Sequence, residues 1–301
     1  MLGLLLCTGC AASEITPTTA PAPATTETTP INGTGLLWRI DLPGRAPSHI
    51  FGTLHLSDPR VVALPPAVED AFESSASVGL ESVKRGDSMR KIEAMGRLPA
   101  GRDLERIIGP DLFAEVIELS RSKGYILEEL RLLTPWYIAI LIEKMNRSPG
   151  GEPVLDEHLA DTARAAGKTL FGLETVSENL AAYKDLPEAQ QIDLLRTTLR
   201  AIETPEESRR AIRDADIHAY LAGDTGFLLR RWNAVFSTAG PERRQFGDRL
   251  LDQRSARFVD RMVPWIETGG SFFAIGAAHL PGKDGVIARL RDRGVNVVAV
   301  Y

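Results

Sequence analysis

Residues 271–301 read SFFAIGAAHLPGKDGVIARLRDRGVNVVAVY. Ser271 to Gly276 is an apolar run of strand length, and the loop from His279 to Gly285 carries Pro281, Gly282 and Gly285 as turn residues. Val286 to Asp292 has helical spacing, Gly294 stops that helix, and Val295 to Tyr301 returns to strand character. Strand, loop, helix and strand in so short a stretch form a βαβ crossover, which predicts an α/β fold and a parallel pair of strands. Ligands of open α/β sheets bind beyond the carboxyl ends of the strands, and His279 stands just past one.

The same pattern occurs near the other end of the chain. Gly52-Thr-Leu-His55-Leu and Gly276-Ala-Ala-His279-Leu both close an apolar strand with Gly-x-x-His-Leu. Leu36–Ile40 and Ser48–Gly52 read as paired strands around a turn holding Pro43, Gly44 and Pro47. Leu64 to Phe72 reads as a helix with prolines in its first turn, where a missing N–H costs little. Two further strands, Ser77–Glu81 and Lys168–Glu174, both end in Gly-Leu-Glu. Residues 88–166 and 177–265 carry apolar side chains at helical spacing. The expected architecture is a central mixed sheet with Gly-x-x-His motifs at strand ends and a large, mostly helical insertion.

The chain has 301 residues, 44% hydrophobic and 25% charged, which suits one folded domain with an insertion. A formal net charge of -5 provides no overall positive field for a polyanion, so no nucleic-acid partner is expected. The only cysteines are Cys7 and Cys10, so the folded body has neither an internal disulfide nor a thiolate zinc site. Residues 1–10 are apolar but too short to span a bilayer, and they resemble the back end of a bacterial lipoprotein signal, with Gly9 before Cys10. Residues 11–34 are rich in Ala, Thr and Pro and read as a flexible tether. A lipid on Cys10 would then hold a domain of residues 35–301 in the bacterial cell envelope, on the extracytoplasmic side of the membrane (the periplasmic side in a Gram-negative cell). The alternative is a short peptide with two incidental thiols.

His55, His279, Glu81 and Glu174 all fall at the carboxyl ends of predicted strands. A Glu beside a buried strand is costly unless paired or bound to a cation, so both carboxylates are expected to face a shared polar site. Lys84 is an available local partner for Glu81, and each His has the alternative of bonding a loop carbonyl. His49, His158 and His218 lack the strand-end setting. Two His and one or two Glu form an N/O ligand set for a divalent metal ion such as Zn, Mn, Co or Fe, with a position left for water. Such an ion makes a hydroxide available near neutral pH, so hydrolysis is the natural chemistry. The chain has no His-Glu-x-x-His helix, Gly-x-Ser-x-Gly elbow, P-loop or Gly-x-Gly-x-x-Gly turn.

Together, Ile50-Phe-Gly-Thr-Leu-His-Leu-Ser-Asp-Pro59, Leu64-Pro-Pro-Ala-Val68, Gly79-Leu-Glu81, Gly172-Leu-Glu-Thr175 and Gly276-Ala-Ala-His-Leu-Pro-Gly-Lys-Asp-Gly285 resemble the TraB/GumN family, to which the Tiki proteases that cleave Wnt proteins are related. The resemblance runs from about Leu37 to Tyr301. It implies an α/β fold distantly like the erythromycin-esterase and ChaN proteins, and metal-dependent hydrolysis of a peptide or protein substrate. It assigns His55, His279 and Glu81 as metal ligands, with Glu81 as ligand or general base, and Glu174 as a further ligand or a carboxylate supporting one; a salt bridge to a helix Lys or Arg is the plainer alternative for Glu174. The family's Arg-Asn dipeptide in a late helix corresponds here to Arg254-Ser255, with Arg254 expected to bind a carboxylate or stabilise an oxyanion. A helix-surface Arg is the plainer alternative. Asp284 is expected to cap the following helix rather than to serve the site. The rival function is a non-catalytic envelope protein on the same fold that holds a metal, haem or peptide.

Overall fold

A six-stranded mixed sheet organises the chain. Its strands are β1 (Leu37–Ile40), β2 (Ser48–Thr53), β3 (Ser77–Ser82), β4 (Thr169–Glu174), β5 (Ser271–Gly276) and β6 (Val297–Ala299). The order across the sheet is β4-β3-β5-β2-β1-β6. The computed structural model describes residues 30–84, 86–121, 127–147, 152–237 and 240–301. Cys10 and most of the expected tether lie outside the described residues.

β4, β3, β5 and β2 are mutually parallel, whereas β1 is antiparallel to both β2 and β6. β2 and β5 are buried along their whole length, as parallel strands covered on both faces should be. Alternate β5 residues serve opposite layers. Phe272 and Ala274 pack with Phe72, Leu155, Leu159 and Ile217. Phe273 and Ile275 pack with Phe258, Val259, Met262 and Leu290. The helical insertion has its own core around Trp136, built from Pro110–Arg121, Pro135–Arg147, Glu188–Glu203 and neighbouring helices. The fold is therefore the mixed α/β architecture expected from the sequence.

Four local expectations are corrected. β5 and β6 run in the same direction but are not neighbours, because β3 and β2 already flank β5 and bury both of its edges. The crossover helix Val286–Asp292 instead carries the chain past two strands, to the outer side of β1. β6 suits that edge, with Val298 exposed, and only Val297–Ala299 of the predicted Val295–Tyr301 strand is strand. Asp284 does not cap the last helix: Gly285 is its N-cap residue without a side-chain bond, and the Asp284 carbonyl accepts from Arg289 Nε at 2.6 Å. Finally, the end of the predicted tether is fixed to the body. Gly226 N–H donates to the Gly33 carbonyl at 2.8 Å, and Gly282 N–H donates to that of Ile31 at 2.7 Å.

Two helices bring side chains to the carboxyl edge of the sheet by a simple rule. A helix leading directly into a parallel strand runs back along the sheet, so its first turn lies over the strands' carboxyl ends. Leu155–Ala165 leads into β4 in this way. Asp252–Thr268 leads into β5 through Gly269 and Gly270, whose φ angles of 82° and 68° favour glycine.

Candidate active site at the carboxyl edge of the sheet

β5 lies between β2 and β3, so the two Gly-x-x-His motifs and the first Gly-Leu-Glu end side by side. In the β2–β5 register Gly52 pairs with Ile275 and Thr53 with Gly276. Neither motif glycine has a positive φ. Gly52 is required for close approach, since a Cβ there would stand 2.7 Å from a Leu280 methyl carbon and 3.1 Å from Ala277 Cα. Gly276 contributes its N–H, which donates to Glu81 Oε1 at 2.8 Å.

His55 Nε2 and His279 Nε2 each lie 3.7 Å from Glu81 Oε1. The two nitrogens are therefore no further apart than twice that distance. Both are buried and lack a hydrogen-bond partner among the described residues. The other ring nitrogens are engaged: His55 Nδ1 is 2.5 Å from Asp156 Oδ2, and His279 Nδ1 is 2.8 Å from Ser255 Oγ. His279 also packs against the Phe258 ring.

Beneath this trio is a buried ion cluster. Arg254, only 2% exposed, donates from Nη2 to Glu81 Oε2 at 2.7 Å and to Glu174 Oε1 at 2.6 Å, and from Nη1 to the Leu250 carbonyl at 3.2 Å. Its Nε–H also faces Glu174. Arg257 Nη1 and Asn179 Nδ2 bind the same Glu174 carboxylate, at 2.9 and 2.8 Å. Arg254 is thus not a surface residue. Lys84 is not Glu81's partner either, and pairs with Glu157 across the surface.

These neighbours set the charges. Burial disfavours ionised Glu81, but Arg254 and the two imidazoles outweigh it and hold the carboxyl well below its usual range. Burial likewise opposes a charged His55, yet Asp156 and Glu81 prevail and lift its pKa to about 9. His279 goes the other way, to about 3: burial dominates and Arg254 and His55 add to it, against the pull of Glu81.

Of the four ligands expected from sequence, His55, His279 and Glu81 come together, while Glu174 is occupied with Arg254 and Arg257. No group of three or more His, Cys, Asp or Glu among the described residues forms a preformed metal cage. The site instead presents two unpartnered imidazole nitrogens, each 3.7 Å from one carboxylate oxygen, a donor set chemically suited to a divalent cation. Glu174 does not fit as a fourth ligand in this geometry, since cations already take up both its oxygens. His49 is buried within β2, and His158 and His218 are exposed on helices.

Sequence reading missed Asp156 and did not assign Ser255 a function. Each stands in the first turn of a helix that runs directly into a parallel strand, and that placement was the available signal. Thr53, the last residue of β2, donates to Asp156 Oδ1 at 2.9 Å and anchors it.

The fold and site define an α/β protein with a buried His–Glu–His centre at the carboxyl edge of its sheet. A model of the TraB/PrgY/gumN family matches residues 36–299, and the chain belongs to that family. Its relatives include Metalloprotease TIKI1 of Danio rerio, 25% identical over 300 residues that cover 83% of this chain and 60% of that protein. Metalloprotease TIKI1 of Homo sapiens is 25% identical over 341 residues, covering 97% and 67%. The Metalloprotease TIKI homolog of Amphimedon queenslandica is 22% identical, covering 87% and 60%. The chain thus spans about 60% of the length of the first of these relatives. No solved structure is significantly similar to it.

Proposed function

We propose that this chain is a metal-dependent hydrolase of peptide bonds, with His55, His279 and Glu81 holding one divalent cation. The observation that carries the reading is the pair of buried, unpartnered Nε2 atoms that each lie 3.7 Å from Glu81 Oε1. With both imidazoles neutral, their Nε2 lone pairs and the carboxylate are all acceptors, so the site calls for a cation in place of the proton that His55 otherwise holds. The names of the relatives support a metal as that partner. When bound, the ion would supply Lewis acidity and an activated water.

The chain's own residues prepare the site for that ion. Arg254 and the Gly276 N–H fix Glu81 and keep it ionised, which suits a ligand better than a general base, whose ideal pKa lies near the working pH. Four of Arg254's donor contacts end on Glu81, Glu174 and Leu250, so its place in the reading is to position Glu81 rather than to meet a developing oxyanion. Glu174 and Arg257 complete the cluster that holds Arg254. A peptide-class substrate, and attachment through Cys10 outside the cytoplasm, belong to the same proposal and rest on the relatives' names and on the sequence of residues 1–34.

Elemental analysis of purified wild type and of His55→Ala/His279→Ala tests the reading, alongside turnover of a peptide library. The expected result is stoichiometric metal only in wild type, with cleavage lost on chelation and restored by added ion. Equal metal content in the two proteins would remove the central claim. Metal bound without turnover would favour the non-catalytic binding protein.

A further inference from the structure

Both imidazoles must carry their proton on Nδ1 for the Nε2 lone pairs to face Glu81, and the chain enforces this with two different partners. Nδ1 of His55 meets the carboxylate of Asp156, which when ionised can only accept. That carboxylate is held in turn by the Thr53 hydroxyl, from the end of the strand that leads to His55. Nδ1 of His279 meets the Ser255 hydroxyl, which can donate or accept. When the hydroxyl accepts from Nδ1–H, the lone pair of His279 is left on Nε2, the nitrogen 3.7 Å from Glu81 Oε1. Ser255 N–H donates to the Leu251 carbonyl at 2.8 Å, which fixes Ser255 in the first turn of Asp252–Thr268.

We propose that Asp156 and Ser255 are the positioning residues of this site, fixing the Nδ1–H tautomer of His55 and His279 and aiming both Nε2 lone pairs at the point faced by Glu81. The inference rests on the metal-site reading for its consequence, but the tautomers themselves belong to the metal-free chain. Outer partners of metal-bound His typically change affinity by about 10- to 100-fold when removed. The partners also differ in kind. His55 has an anionic partner that raises the basicity of its far nitrogen, and His279 a neutral one, so loss of Asp156 weakens cation binding more than loss of Ser255.

The experiment uses the full chain and zinc as the probe, titrated against a chromogenic chelator. The proteins are wild type, Asp156→Asn, Ser255→Ala and Thr53→Val, the last leaving the Asp156 carboxylate in place but unanchored. In parallel, long-range 1H–15N correlation spectra of metal-free wild type locate the ring protons, for His279 at neutral pH and for His55 above its titration. Expected are Nδ1–H tautomers for both rings, zinc binding weakened about 10- to 100-fold in the Asp156 and Ser255 variants, and a smaller loss in Thr53→Val. Should Asp156→Asn fail to fold, Thr53→Val carries that arm. Unchanged zinc affinity in the folded variants would overturn the proposal, as would either ring carrying its proton on Nε2. If wild type binds no zinc, the metal reading fails, and the proton positions still decide for or against positioning.

Discussion

Replacing Arg254 with Met should be among the most damaging single changes outside the hydrophobic core. Methionine approximates the length of the aliphatic stem but removes the guanidinium that joins Glu81 and Glu174, all three being buried. Glu174 keeps Arg257 and Asn179, at 2.9 and 2.8 Å. Glu81 keeps only the Gly276 N–H and the two imidazoles. Breaking a buried pair by deleting one partner typically costs about 3–5 kcal/mol, because the remaining charge is stranded away from water. At about 2–4 °C per kcal/mol for a chain of this size, the melting temperature should fall by roughly 6–20 °C. The assay is urea unfolding at pH 7 with chelator present, so that bound metal contributes nothing. Arg254→Met/Glu174→Gln should be more stable than the sum of the two single changes predicts, since the second substitution removes one stranded charge. A loss below about 1 kcal/mol, or strict additivity, would refute the argument that this cluster is a mutually dependent buried unit.

Two further outcomes follow from neighbouring contacts. Gly52→Ala places a Cβ 2.7 Å from Leu280 and 3.1 Å from Ala277, so differential scanning calorimetry should show a loss of about 1–3 kcal/mol from overpacking. Displacement of the turn Ala277–His279 should weaken zinc binding in the same variant. Glu178, hydrogen-bonded to Arg261 and closing the N-terminal capping box of Val176–Lys184, has a pKa held down to about 2, with Arg261 the largest cause. Its folded-state pKa is thus below the unfolded value, and its contribution is present above about pH 4.5 and lost as pH falls through about 2. Glu178→Gln should cost about 1 kcal/mol at pH 7, a figure limited by the partial exposure of the pair, and the difference from wild type should close in acid.

The sheet's central strands were legible because burial on both faces leaves a plain signature: Ser271–Gly276 and Val286–Asp292 coincide with β5 and the last helix. Strand order was not legible. Nothing in the run Val295–Tyr301 reveals that two other strands already occupy the edges of β5, and its partner is chosen by competition among distant segments. The site followed the same division. His55, His279 and Glu81 announce themselves through repeated tripeptide and pentapeptide patterns at strand ends. Asp156 is one acidic residue in the first turn of a polar helix, and only the direction of that helix against the sheet brings it to His55. Arg254 illustrates a further limit, since Arg249, Arg257 and Arg261 share its helical neighbourhood and only packing makes one of them buried.

The position of β5 bears on how the protein is made. β5 separates β2 from β3 in the sheet but follows both in sequence, beyond the whole helical insertion, so until it emerges from the ribosome those two have no partner for the edges they will share with it. Unpaired edges of apolar strands invite pairing with other chains, an exposure that ends when β5 fills the gap. His55 and Glu81 precede the helical insertion in sequence, yet His279 and the Gly276 N–H that orients Glu81 arrive only with β5 and the turn that follows it. The centre is therefore completed in one step, and a chain halted short of β5 holds His55, Glu81 and Arg254 without the strand that brings them together.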